Sequence, residues 1–274
     1  MENYYIEIQA GATKKQYIKD IWRYRELFYF LAWRDILVRY KQTVIGVLWA
    51  ILRPFLTMVV FTFIFGNVAN LPSEGGAPYP IMVYAAMLPW SFFASALQES
   101  SNSLISNANM ISKIYFPRLV VPTSAVIVSF VDFLISFVIL IGLMIFYGFV
   151  PQVQILLLPV FTLMAFFAAM GFGLWLAALN VKYRDFRYIV PFFVQFGLYI
   201  SPVGFSSAVI PEQWRLIYSV NPMVGVIDGF RWSIIGNTQI YWSGMILSMV
   251  LVSIVFVSGL LYFRKTERTF ADVI

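Results

Sequence analysis

The stretch KQTVIGVLWAILRPFLTMVVFTFIF, from Lys41 to Phe65, decides the fold class of this chain. After its first residue it holds a single charge, Arg53. A hydrocarbon core about 30 Å thick needs about 20 apolar helical residues, and counting about 20 residues back from Asn70 starts the span near Ile51. Arg53 then lies one turn inside the boundary, where it can reach the headgroups. Pro54 follows in the first turn, where a missing N–H costs least. We interpret Arg53 and Pro54 as the membrane entry.

The composition extends this interpretation to the whole chain. Its 274 residues are 61% hydrophobic and 12% charged, and its mean hydropathy is +0.80, which indicates a polytopic membrane protein. The absence of Cys and His excludes disulfides, thiolate or imidazole metal sites and Ser-His-Asp or Cys-His catalysis. No acidic cluster suggests a metal site, so we expect none. No Walker A pattern occurs, so nucleotide energy must come from another chain.

The N-terminal residues 1–41 are predicted to be a cytoplasmic segment with an interfacial helix. One helical face carries apolar side chains, and most basic residues fall on other faces. Basic residues opposite aromatic ones are typical of a helix in the membrane interface. A cytosolic helix packed on a partner protein is the alternative. The apolar face comprises Tyr17, Ile21, Tyr24, Phe28 and Leu31.

Residues 42–274 are predicted to form a single all-α domain with six transmembrane helices. Between the fifth and sixth spans, residues 206–238 are too broken by Pro and Gly for a full span and too apolar for a plain loop. We predict one or two short re-entrant helices there, on the outer face. The five spans after the first are predicted at Tyr79–Leu97, Leu119–Val150, Ile155–Asn180, Ile189–Phe205 and Tyr241–Phe263.

Basic residues give the orientation. In this arrangement 17 of the 19 Lys and Arg residues lie on one side of the membrane, and only Arg215 and Arg231 lie opposite. By the positive-inside rule, both termini are predicted to be cytoplasmic. This distribution also accounts for the net charge of +6 without nucleic acid as a partner.

A stripe of small residues marks one face of the fourth span. Small side chains recur there every four residues, which lets helices approach closely in lipid, although an Ala-rich helix can show this by chance. The stripe consists of Ala165, Ala169, Gly173 and Ala177.

Three places are candidates for function. The predicted cytoplasmic loop Glu99–Arg118 is longer than most connectors, which favours a docking surface. The sequence NVKYRD, Asn180–Asp185, sets an acid beside basic residues at the next cytoplasmic turn. Asp132 is an acid inside the third span, and we expect Ser129, Ser136 or a neighbouring helix to satisfy it.

Several of these segments together resemble the ABC-2 type permeases. YKQTVIGVLWAILRPF (Tyr40–Phe55) is similar to the start of the first span in that family. NANMISKIYFPRLVVP (Asn107–Pro122), NVKYRDFRYIVPFFVQFGLYISPV (Asn180–Val203) and Asn-Pro at 221–222 followed by Arg231 are similar to later landmarks, in the family's order. The short chain, interfacial helix and outer re-entrant segment resemble the branch that exports lipid-linked O-antigen, capsular polysaccharide or teichoic acid.

The resemblance implies a homodimer in the cytoplasmic (inner) membrane, with two copies of a separate ABC ATPase that binds ATP and Mg. This chain is then a permease subunit rather than an enzyme, with no cofactor of its own, and its substrate is a polyprenyl-linked glycan, for which likeness to Gram-negative members favours O-antigen. Residues implied to couple to the ATPase are Asn107, Ile111, Lys113, Phe116, Pro117 and Arg118. The resemblance also implies that the first and fifth spans line the channel. Phe192, Phe196 and Tyr199 of the fifth span share one helical face by their spacing and, with Phe55 of the first, are the predicted lining, although plain packing in lipid is the alternative. The residues of the cytoplasmic motif are Asn180, Tyr183, Arg184 and Asp185.

Two other functions stay open at this point. An ABC-2 exporter of small amphiphiles or drugs would share the same architecture. A membrane-embedded enzyme acting on lipid-linked sugars would need paired carboxylates or a His at the membrane face, and the acids here are dispersed.

Overall fold

A computed structural model describes residues 22–41 and 46–270. The start of the predicted interfacial helix, with Tyr17 and Ile21, lies outside the described residues. The described part is all-helical, as predicted. Its helices are α1 (Arg25–Lys41), α2 (Gly46–Phe61), α3 (Tyr79–Ser106), α4 (Ala108–Ile111), α5 (Val120–Phe146), α6 (Leu158–Lys182), α7 (Phe186–Ile200), α8 (Glu212–Tyr218), α9 (Pro222–Ile235) and α10 (Trp242–Thr266). A π-helical turn, Thr62–Val68, continues α2, and 3₁₀ turns occupy Val153–Leu157, Ser207–Val209 and Glu267–Thr269.

Five helices in residues 22–41 and 46–270 are long and apolar enough to cross a membrane, which confirms a multi-pass membrane protein. α7 is also an apolar helix but has only 15 residues. At 1.5 Å per residue it is about 22 Å long, shorter than a hydrocarbon core. The five long segments are Ile51–Val68, Tyr79–Ser106, Val120–Phe146, Val153–Lys182 and Trp242–Thr269.

Two predicted boundaries are wrong. α3 does not end at Leu97 but continues to Ser106, because the polar residues after Glu99 still permit a helix, so the first part of the predicted loop is helical. Pro54 does not lie in a first turn, because α2 begins at Gly46. It is an interior proline that leaves one carbonyl of the preceding turn without its helical donor.

One end of the helix bundle carries the segment before α5 and the end of α10. The backbone N–H of Arg118 donates to the Glu267 carboxylate at 2.8 Å. The end of α6 lies there too, since the Asn180 side-chain amide donates to the carbonyl of Ser101, in the last turns of α3, at 2.9 Å. We call this the basic end, because the loops that join there hold the predicted cytoplasmic charges.

The opposite end, called here the outer end, gathers the remaining connections. The Gln152 side chain donates to the Asn237 side chain at 3.0 Å, and Gly75 lies against Asn237. The Tyr79 hydroxyl donates to the Gly204 carbonyl at 2.7 Å. Because α7 starts just after α6 at the basic end and is followed by Gly204 at the outer end, it runs the length between them.

α3 is the central helix of the described fold. In the most apolar stretch of α3, 78% of the residues are buried, against 17–44% in the corresponding stretches of the other four long helices. At mid-length its Phe92 contacts Phe130 and Phe133 of α5 and Phe166 of α6. Phe230 of α9 contacts Phe133 from the outer side. This aromatic cluster joins four helices around one core.

α6 and α10 approach each other backbone to backbone. A Cβ added at Gly171 would lie 2.7 Å from the backbone nitrogen of Phe256, and one added at Gly259 would lie 2.4 Å from the Gly171 carbonyl oxygen. The predicted small-residue stripe of α6 is buried along its length, and its Gly173 faces Ser100 of α3. α6 therefore packs closely against a helix on each side, as small residues allow in lipid.

The contact at Gly171 predicts a stability loss from a single methyl group. Gly171→Ala should destabilise the folded protein by about 1–3 kcal/mol, because the facing backbone of α10 cannot move aside cheaply. Gly142→Ala is the matched control, since a Cβ there meets nothing within 4 Å. Thermal unfolding in detergent measures both variants, and equal midpoints would contradict this packing.

Candidate functional site

α7 presents an unpartnered aromatic face. Phe192, Phe196 and Tyr199 are 56–61% exposed and lie on one face by their spacing, and Phe192 stacks on Phe196. Val190 is the one buried residue among the residues of α7. The opposite side of the helix packs on α3, where the ring of Trp90 lies so close to Gly197 that an added Cβ would be 2.6 Å from it. α7 is thus attached along a narrow seam and offers the aromatic face outward.

α2 borders this face at its outer end. The ring of Phe61 lies 6.4 Å from that of Tyr199, centroid to centroid. Phe55, the fourth residue in the predicted channel set, packs against the core instead and is half-buried. At the predicted membrane entry Arg53 is exposed and Pro54 is buried. The structure thus groups the three α7 aromatics and leaves Phe55 apart from them.

Arg231 of α9 is a functional candidate that the sequence analysis noted as an outer basic residue and as part of a family landmark, without assigning it a role. Its side chain is completely buried, and its guanidinium donates to the carbonyls of Val203 and Phe205 at 2.9 and 2.8 Å. Both carbonyls belong to the segment directly after α7. No sequence spacing connects a residue of α9 with the end of α7.

The predicted coupling segment forms a short helix, α4, followed by an exposed turn. Of the six residues implied to couple, only Lys113 is exposed; Asn107 and Arg118 are half-buried. Ile111, Phe116 and Pro117 are buried and hold the turn against the bundle. The outward surface is instead the apolar pair Ile114 and Tyr115, each 61% exposed, next to Lys113.

The end of the chain holds this turn in place. Besides the backbone bond at Arg118, the Arg118 guanidinium donates to the Glu267 carbonyl. Phe270 is fully buried and packs edge-to-face on Phe263. The turn is therefore fixed to the 3₁₀ turn that directly follows α10.

The NVKYRD motif divides into a structural and a surface part. Asn180 is completely buried and donates to the Ser101 carbonyl and, at 3.1 Å, to the Asn102 side chain. Tyr183, Arg184 and Asp185 are exposed at the basic end. Asn180 thus joins α6 to α3, while the other three residues form surface.

Asp132 pairs with residues of α1. Of the partners expected for this carboxylate, a nearby serine or a neighbouring helix, the structure shows the neighbouring helix. Its carboxylate accepts hydrogen bonds from the Arg39 guanidinium and the Tyr40 hydroxyl. Arg39 also pairs with Glu99 of α3. Ser129 donates to the Ala125 carbonyl of its own helix instead. Burial, and then the Asp132 carboxylate, raise the pKa of Tyr40, which keeps its hydroxyl protonated as a donor.

A second contact and a pocket complete the attachment of α1. Arg34 donates to the Asn107 side-chain oxygen at 3.0 Å, just where α3 meets α4. Beside it lies a polar cavity of about 340 Å³ between α1, α3 and α5. The predicted apolar face of α1 points to the bundle, since Leu31 is buried and Tyr24 and Phe28 pack on the core.

Comparison with known proteins places this chain among transporters. Residues 26–235 match the family model described as ABC-2 type transporter. Two relatives from Klebsiella pneumoniae, each named O-antigen export system permease protein RfbA, are 28% identical over 88% of this chain and 92% of their own length. A relative of the same name from Myxococcus xanthus is 27% identical over 78% of this chain and 82% of its own.

The Asp132 cluster predicts that this carboxylate contributes measurably to the docking of α1. Asp132→Leu should destabilise the fold by about 1–2 kcal/mol, because it removes a partly exposed ion pair together with the hydrogen bond from the Tyr40 hydroxyl. Asp132→Asn should cost less, because an amide oxygen still accepts from Tyr40. Thermal unfolding and protease cleavage within α1 report the loss. Asp35→Asn is the control, since Asp35 pairs locally, with the adjacent Arg34. Unchanged stability of the Leu variant would refute the role.

Proposed function

The chain belongs to the ABC-2 type transporter family, and we propose that it is the permease subunit of an ATP-driven exporter that moves polyprenyl-linked O-antigen across the cytoplasmic membrane. The assignment of the substrate rests on the similarity, over most of both chains, to permeases named for O-antigen export. The exposed aromatic face of α7 fits that cargo. Sugar rings have apolar faces that can slide along aromatic side chains.

The proposed topology has six crossings with both termini in the cytoplasm. The five long helices and α7 alternate between the basic end and the outer end, so an even number of crossings returns the chain to its starting side. Lys and Arg at the basic end favour the cytoplasm. α8 and α9 then form a re-entrant pair on the outer side, because α9 ends at Ile235 beside the other outer connections.

The proposed conduit lies between two copies of this chain, with the α7 faces turned inward. A polymer conduit must bind its cargo weakly at many points, since one strong site would trap it. Aromatic rings meet that requirement, because they offer surface without fixed hydrogen bonds.

The energy is proposed to come from two copies of a separate ABC ATPase, which bind ATP and Mg and dock at the basic end. Ile114 and Tyr115 supply an exposed apolar knob for an apolar groove on that partner. Their anchorage through Arg118 to α10 supports a docking turn, because a docked turn must be rigid to transmit movement.

α1 is proposed to lie in the cytoplasmic interface of the membrane. Tyr29, Phe30 and Trp33 are 47–64% exposed on the side away from the bundle, and Tyr29 stacks on Trp33. Aromatic side chains favour the headgroup level. α2 enters the membrane only a few residues later, which keeps the end of α1 at that surface.

Removal of this chain from its host should retain lipid-linked O-antigen inside the cell, and the wild-type chain should restore it to the surface. Chains with Phe196→Ala and Tyr199→Ala should reach the membrane but export several-fold less, because the conduit loses two sliding surfaces. Glycan display, with membrane abundance measured in parallel, tests this. Phe146→Ala is the control, an exposed aromatic at the end of α5. Normal export by the double variant would remove the α7 face from the conduit.

The docking turn predicts a loss of ATPase partnership without unfolding. Ile114→Ser should reduce recovery of the ATPase with the permease about ten-fold, the effect of losing roughly 1.4 kcal/mol of buried apolar contact. Co-purification measures it, and Ile145→Ser, an exposed apolar change at the opposite end of the bundle, is the control. Equal recovery with both variants would place the ATPase contact elsewhere.

A further inference from the structure

The segment after α7 leaves the helical path at the outer end of the bundle. α7 ends at Ile200 after 15 residues, and residues 201–206 form no helix. Carbonyls at the end of a helix have no intrahelical donor. In a membrane, non-helical backbone persists only where protein or a water-filled cavity supplies partners.

Side chains from three other elements supply those donors. The Tyr218 hydroxyl, at the end of α8, donates to the Ile200 carbonyl at 2.7 Å. The Tyr79 hydroxyl, at the start of α3, donates to the Gly204 carbonyl at 2.7 Å. Arg231, from α9, donates to the carbonyls of Val203 and Phe205. Four carbonyls within residues 200–205 are therefore bonded to side chains distant in sequence.

Arg231 is held firmly enough to act as a fixed point. Its remaining donors reach the Met82 carbonyl at 3.3 Å and the Glu74 carboxylate at 3.5 Å, so α3 and the α2–α3 connection also contact it. A buried guanidinium persists only when its donors are nearly all used, and the loss of its acceptors would be costly. The segment after α7 is therefore constrained to one position relative to α3 and α9.

Packing restricts the same segment. A Cβ at Gly204 would lie 2.6 Å from the Phe65 ring, which belongs to the π-helical turn after α2. Val203 and Ser201 are completely buried, and the Ser201 hydroxyl accepts from the Asn221 side chain at 2.9 Å. Little space is left for a second arrangement of the chain here.

We propose that Arg231, with Tyr79 and Tyr218, is a positioning group that fixes the outer end of α7 and so sets where the Tyr199 end of the aromatic face lies. None of the three needs to touch the cargo. They act through the backbone carbonyls of the segment that α7 leads into. The consequence for export rests on the proposed function, whereas the positional role does not depend on it.

The absence of native Cys allows a direct test with single cysteines at Tyr199 and at Phe192, one near each end of the face. Purified protein in liposomes is treated with an impermeant maleimide, and labelling rates are measured in Tyr218→Phe, Tyr79→Phe and Arg231→Lys backgrounds. We expect the rate at position 199 to change roughly five-fold, the population shift that one typical hydrogen bond controls. The rate at position 192 should stay constant.

Tyr188→Phe is the matched control, because Tyr188 is an exposed tyrosine on α7 itself. Each tyrosine variant removes one hydroxyl and keeps the ring, so the test survives if the arginine variant does not fold. Unchanged labelling at position 199 in both tyrosine backgrounds would overturn the proposal. Equal changes at positions 192 and 199 would also overturn it, because they would indicate loosening of the whole helix.

Export is measured with the same Tyr218→Phe, Tyr79→Phe and Arg231→Lys substitutions in chains that keep Phe192 and Tyr199, and it separates the two proposals. A labelling change accompanied by several-fold lower export, at normal membrane abundance, supports the positional role and its use in transport. A labelling change with normal export keeps the positional role and counts against the α7 face as the conduit.

Discussion

Backbone carbonyls in a bilayer must find donors, and this requirement explains the outer end of the molecule. α7 ends after 15 residues and cannot supply donors to the backbone carbonyls at and beyond its end. α3, α8 and α9 therefore each contribute a side-chain donor to these carbonyls. The donors have to be long, because they reach across from other helices. Two tyrosines and an arginine have that length and also an apolar body that suits the surroundings.

The same requirement accounts for the mixed composition of residues 206–238. α9 is buried along most of its length, so its composition is mainly apolar, yet it must carry Arg231. Its glycines lie where neighbours come closest: Gly225 faces Ser248 of α10, and Gly229 faces Phe161 of α6. Larger residues there would push α9 outward and move the guanidinium away from its carbonyls. The glycines and the arginine therefore belong to one arrangement.

The two ends of the molecule use charge in different ways. At the basic end the pairs of Arg39 with Glu99 and Asp132 are 21–50% exposed, and such pairs contribute little individually. Few buried apolar residues support α1, only Leu31 and Ala32 among its described residues. At the outer end Arg231 is fully buried, so breaking its bonds costs much more. Attachment is thus weak at α1 and firm where α7 ends.

The sequence was sufficient to predict the features that local hydropathy and helical spacing determine. An apolar run of about 20 residues has one favourable state in lipid, so the long helices could be predicted as spans. The aromatic spacing on α7 likewise predicted a face, because helical geometry alone decides which side chains align. The end of α3 was misplaced because a polar helix and a polar loop have similar composition beyond the hydrocarbon core.

Contacts between distant residues could not be predicted in the same way. Tyr40 and Asp132 are 92 residues apart, and Arg231 and Met82 are 149 apart. Phe116 and Ile111 were expected to meet a partner, yet an apolar residue in a polar loop fits a docking surface and an internal anchor equally well. Only the fold decides between them. Here it buries both, and leaves Ile114 and Tyr115 outside.

The weak packing of α7 connects these observations. A membrane helix that meets only lipid gains nothing from placing its aromatic side chains on one face, because lipid surrounds it on every side. α7 groups Phe192, Phe196 and Tyr199 in this way, on the face opposite the seam that contains Val190 and Gly197, with Phe193 exposed beside that face. It also ends early, and the protein uses the fully buried Arg231 to hold residues 203–205 beyond it. A helix with few lateral contacts needs its ends fixed if its face is to keep one position. Firm anchorage at the outer end, combined with a narrow seam on α3, meets that need while leaving the aromatic face uncovered.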